Sequence, residues 1–130
     1  MQIEDFRVER VGVPKAEECK NIAIFSWIKN TGNVKVRPRI HIDILDQSEN
    51  VTLKSFDQSD TEVLPTTTQL ISSSISSELS QYKCMPVGIY KVKYKAYLGN
   101  ELKFQDTYLL EIVPRGTLTV KGELISLSAK

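Results

Sequence analysis

Four polar side chains fall at alternate positions in the stretch "KNTGNVKVRPRIHIDILD" (residues 29 to 46): Arg37, Arg39, His41 and Asp43. On an extended chain they share one side, and Val36, Pro38, Ile40, Ile42 and Ile44 share the other. A histidine beside a carboxylate is part of a general-base arrangement, but a hydrolytic triad also needs a nucleophile held against the ring. No serine or cysteine is placed by the sequence to complete the set, and His41 is the single histidine of the chain. Catalysis is not expected. Zinc is not expected either, because one histidine and two distant cysteines, Cys19 and Cys84, lack the paired ligand spacing of a structural site. Neither GxGxxG nor GxxxxGK[ST] occurs, so no phosphate loop is present, and no cofactor is expected.

A second set of cations lies in "IYKVKYKAYL" (89 to 98), where Lys91, Lys93 and Lys95 share a face with Tyr97. The opposite face, Tyr90, Val92, Tyr94 and Ala96, must be core. Phe25 and Trp27 alternate with Ile22, Ile24 and Ile28, making that strand apolar on both faces. Loops or terminal segments of the same domain must cover the second face, or else a neighbouring repeat or a second copy does.

These residues need a scaffold, and a chain of 130 residues is the size of one domain with one core. Apolar residues make up 41% and charged residues 25%, a composition near that of ordinary soluble domains. Seventeen basic residues face sixteen acidic ones, so no global field draws the chain to nucleic acid or anionic lipid. The longest apolar run, "IAIFSWI" at 22 to 28, is far short of the roughly 20 residues needed to span a bilayer. The segment "MQIEDFRVER" lacks the basic and apolar regions of a secretory signal, which leaves a cytosolic protein or a piece of a longer exported one.

Period-2 alternation recurs throughout, and no window sustains a helical pattern, so the chain reads as all-β. Strands are expected at about 2–9, 21–29, 35–45, 51–56, 67–76, 88–98, 102–113 and 117–128. Turn signals separate them, and "YLGNEL" is the best hairpin, with Gly99 and Asn100 suited to positive φ.

Three elements together, "IKNTGNVKV" at 28 to 36, the "LP" entry to a Thr/Ser-rich strand at 64 to 76, and "MPVGIYKVKYKAYLGNELK" at 85 to 103, carry a resemblance. The chain resembles the immunoglobulin-like, CARDB-type β-sandwich repeats of prokaryotic, particularly archaeal, cell-surface and S-layer-associated proteins. The resemblance implies an antiparallel sandwich of seven to eight strands over residues 1 to 116. Residues 117 to 130 are either an extra strand or the start of a following repeat.

Several expectations follow from that arrangement. Strands beginning after Cys19 and Cys84 start at the same end of an immunoglobulin-like sandwich, so the two cysteines are either bridged or a pair of buried thiols. Pairing of the third and sixth strands sets Arg37, Arg39 and His41 beside Lys91, Lys93 and Lys95. That row is either a solvated face or a site for an anionic glycan or acidic protein. "NVT" at Asn50 matches a glycosylation acceptor. The resemblance implies a non-catalytic structural or adhesive module of a larger surface protein, outside the cell, contacting neighbouring repeats or other surface proteins. The alternatives are the anion-binding module, and a cytosolic assembly subunit with free thiols that dimerises through Phe25 and Trp27.

Overall fold

In the computed structural model, which describes residues 2 to 80 and 83 to 116, the chain is all-β. The strands are β1 (Phe6–Gly12), β2 (Ala16–Glu17), β3 (Ile22–Asn30), β4 (Arg39–Leu45) and β5 (Thr52–Gln58), followed by β6 (Thr68–Ile75), β7 (Glu78–Ser80), β8 (Lys83–Cys84), β9 (Gly88–Leu98) and β10 (Glu101–Val113). One sheet has the order β1-β3-β6 and the other β2-β10-β9-β4-β5, with β7-β8 a small separate hairpin. The neighbours pair antiparallel except β2, which runs parallel to β10 with Ala16 beside Ile112.

Alternation explains the layering. Along β3 burial alternates at every residue, so Ile22, Ile24, Ser26, Ile28 and Asn30 point inward. Facing them are Ile40, Ile42 and Ile44 of β4, Val92, Tyr94 and Ala96 of β9, and Leu110 and Ile112 of β10, all in one hydrophobic cluster. Each fully buried aliphatic side chain contributes roughly 1.5–3 kcal/mol relative to exposure. A buried polar bond ties the two layers: the Tyr94 hydroxyl donates to Ser26 Oγ at 2.8 Å, and both groups are wholly buried. Burial pushes the Tyr94 hydroxyl up to about 12, so it remains a donor at any physiological pH. Tyr94→Phe should keep the ring's edge contact with Phe104 but orphan Ser26 Oγ, lowering stability by about 1–2 kcal/mol in a urea titration.

The structure departs from expectation at several ends. The strand expected from residue 2 begins at Phe6, and the one expected from residue 35 begins at Arg39, with Val36 held by an isolated bridge to Val63. Three short strands, β2, β7 and β8, add to the seven long ones, because two- and three-residue strands leave no periodic trace. In the β9-β10 hairpin Gly99 takes φ 61°, whereas Asn100 does not adopt positive φ. In the Thr/Ser-rich strand Ile71 is buried and Leu70 is 44% exposed. The strand expected at 117 to 128 lies outside the described residues.

Candidate functional site

The outer face of the five-stranded sheet gathers the basic residues. β4 pairs with both β5 and β9, so His41 stands between Asp57 and Lys95, and Asp43 between Ser55 and Lys93. The His41 ring is held from both sides, with Nδ1 2.9 Å from an Asp57 carboxylate oxygen and Nε2 3.0 Å from one of Asp43. The Ser55 hydroxyl donates to the other Asp43 oxygen at 2.6 Å. The Arg39 guanidinium reaches Asp57 at 3.5 Å and lies over the Tyr97 ring, 4.2 Å from its centroid.

The expected basic row is therefore assembled, but interleaved with acids. Lys91 and Lys93 converge on Glu49 at 2.8 and 3.1 Å, and Arg37, just before β4, pairs with Glu62 at 2.9 Å. Hydrogen bonding from Lys91, then Lys93, lowers the Glu49 carboxyl, and Arg37 does the same for Glu62. Among the described residues, Lys95 alone of the six cations lacks an ion pair. It lies at a shallow polar recess with Gln105 and Thr107.

Sequence reasoning missed the acids. Asp57 was accessible to it, since continuing the alternation of the 51–56 strand turns Ser55 and Asp57 outward with His41 and Asp43. Glu49 and Glu62 sit in loops, where no periodicity places a side chain.

The His41 site has a pH consequence. Burial of the ring is the largest single influence and lowers its basicity, but Asp57 and Asp43 together outweigh it, leaving the pKa raised above 6.5. A raised folded-state pKa contributes stability that is fully present below the unfolded value and is lost as pH rises through the folded one. Stability should fall as pH rises above about 6.5 and through the raised folded-state value. His41→Gln should flatten that slope, and an imidazole NMR titration should place the midpoint above 6.5.

The remaining candidates lie apart from this face. Cys19 and Cys84 are joined by a disulfide with Cα atoms 5.2 Å apart, linking the approach to β3 with the end of β8. Asn50 is exposed in the β4-β5 connection, where its backbone N–H donates to Asp46 at 2.9 Å. Phe25 and Trp27 lie on the outer face of the three-stranded sheet, ring centroids 6.3 Å apart. The cover over Trp27 is a residue of β1, Arg10, whose guanidinium sits 3.9 Å from the ring centroid. The Tyr90 hydroxyl donates to the Pro86 carbonyl, fastening the corner where β9 starts.

Comparison with solved structures bears on what this scaffold is. A CARDB domain from Pyrococcus furiosus superposes with a TM-score of 0.54 at 14% identity, covering 88% of this chain and 98% of that one. The fold is CARDB-like. The same sandwich is found within a β-glucosidase from Listeria innocua, with a TM-score of 0.57 and 11% identity over 84% of this chain. It also matches a cycloisomaltooligosaccharide glucanotransferase from Paenibacillus sp., with a TM-score of 0.63 and 13% identity over 85% of this chain. This chain spans only 16% and 14% of the length of those two enzymes. No family model matches the sequence, and no curated protein matches it. The Pyrococcus domain was solved with di-metal ions; among the described residues here, no group of three or more His, Cys, Asp or Glu is arranged to hold a metal. No helix among the described residues is long and apolar enough to cross a membrane.

Proposed function

We propose that this CARDB-like sandwich is a non-catalytic contact module of a larger surface protein, engaging neighbouring domains or other proteins through its sheet faces and edges. The observation that supports it is the pattern of coverage. The sandwich accounts for nearly all of a CARDB domain solved on its own but only 16% and 14% of two longer enzymes, as a portable module would. The disulfide fits an oxidising compartment, where a bridge between distant segments persists. Exposure of Asn50 is compatible with glycan attachment there.

Photo-crosslinkers at positions 23, 54 and 109 of the protein in its native setting test this reading. Discrete protein adducts from at least one position are expected; none from any of them would remove it.

The anion-binding reading draws support from Lys95, which makes no ion pair among the described residues, although Asp106 lines the same recess. Since Glu49, Asp57 and Glu62 already occupy the other cations, a sulfated polysaccharide should not bind measurably at physiological salt. Binding that falls with salt and disappears in Lys93→Glu/Lys95→Glu would put the anion site first.

A further inference from the structure

The two larger sheets end in four edges, and three are blunted. β1 has a register shift between Val8 and Arg10 and carries Arg7, Glu9 and Arg10. β5 has a shift at its pairing with Leu45 and carries Lys54 and Asp57, and β2 is only two residues long. Charges, bulges and shortness are the devices that keep an edge from recruiting another strand.

β6 has none of them. It pairs with β3 over eight consecutive residues, Thr68 to Ile75, without a shift, and its sequence TQLISSSI contains no charge, proline or glycine. Among the described residues no strand lies beyond it. Its inward side chains are committed to the core: Ile71 and Ile75 are buried, and Ser73 Oγ donates to Gln58 at 2.8 Å, closing the gap between sheets. Its outward side chains, Thr68, Leu70, Ser72 and Ser74, are exposed, and Leu70 stands across from Trp27.

We infer that β6 is a strand-addition edge whose partner is β6 of a second copy of this chain. This deepens the contact-module reading by naming a surface and an occupant. The choice of a second copy rests on charge. Antiparallel self-pairing about Ser72 sets Ser72 against Ser72 and Leu70 against Ser74, with no like charges opposed. Self-pairing of β1 or β5 would instead have to accommodate their register shifts and the charged side chains they carry. The product is a continuous six-stranded sheet, β1-β3-β6-β6-β3-β1, with each Leu70 beside its own Trp27 on the joined outer face.

Sedimentation equilibrium of the full chain at concentrations up to about 1 mM tests this, with amide hydrogen exchange of β6 followed alongside. A reversible dimer is expected, with β6 amides becoming protected as it forms. Ser72→Lys should weaken it by about tenfold or more, because it opposes two ammonium groups across the twofold. The thermal midpoint of the Ser72→Lys monomer reports whether it remains folded, and Ser72→Thr should keep the dimer. A strictly monomeric protein overturns the inference, as does β6 protection at all concentrations, which would mean that the edge is covered within one chain. A dimer abolished by Trp27→Ser but untouched by Ser72→Lys also overturns it, by assigning association to the aromatic face. None of these outcomes removes the contact-module reading, which the crosslinking experiment decides separately.

Discussion

Replacing Cys19 and Cys84 together by serine is expected to lower the stability of the domain by about 4 kcal/mol, the largest effect of any change considered. The bridge spans a sequence separation of 65 residues, which contains β3, β4, β5, β6 and β7. It therefore restricts the unfolded chain across most of the sandwich, and loop-closure entropy of that size gives the quoted figure. Urea denaturation should show the midpoint falling sharply. Reduction of the unaltered protein should reproduce the same loss, since it deletes the same link without changing any packing volume. A loss below about 1 kcal/mol in both experiments would mean that the unfolded state is compact enough to make the bridge redundant.

Asn30→Ala is expected to cost about 3 kcal/mol, an unusual penalty for one polar side chain at the end of a strand. Asn30 is wholly buried. Its side-chain amide donates to the Val34 and Val63 carbonyls, both at 2.8 Å, and its carbonyl oxygen accepts from the Gly32 N–H at 2.8 Å. One side chain thus joins the end of β3, the turn that follows, and the Val36–Val63 bridge. Truncation leaves two carbonyls and an N–H to find new partners, and at least the Val63 carbonyl is shut away from water. Asn30→Asp separates hydrogen bonding from volume, because it keeps the shape and the acceptor while removing both donors. It should be nearly as destabilising as alanine at neutral pH. Gly32→Ala should weaken the same corner, since a Cβ there would run into the backbone carbonyl of Ile3. Equilibrium unfolding of the three variants checks the ranking; an Asn30→Ala loss under about 1 kcal/mol would show that water can satisfy the corner.

Much of the scaffold was legible because strand periodicity is a direct consequence of one buried face. The inward set Tyr90, Val92, Tyr94 and Ala96 is buried as its alternation required, and so is the set Val36, Pro38, Ile40, Ile42 and Ile44. Pairing of the strand bearing His41 with the strand bearing Lys95 followed from the family resemblance, and the register sets those two residues side by side. The partners of the cations were not legible in the same way. Glu49 and Glu62 reach Lys91, Lys93 and Arg37 from loops, and loop backbone is determined by tertiary packing, not by a local repeat. Arg10 over Trp27 was hidden for a related reason. The bulge between Val8 and Arg10 shifts the alternation of β1 by one residue, and nothing in "FRVERVG" announces it.

We propose that this sandwich is a bridged module working outside the reducing cytosol. Intact mass and thiol titration of the folded protein, equilibrated in glutathione at a secretory redox poise, decide this. One Cys19–Cys84 bridge should persist, with no titratable thiol until the protein is reduced. Two free thiols at equilibrium would contradict it, and would favour an intracellular assembly subunit.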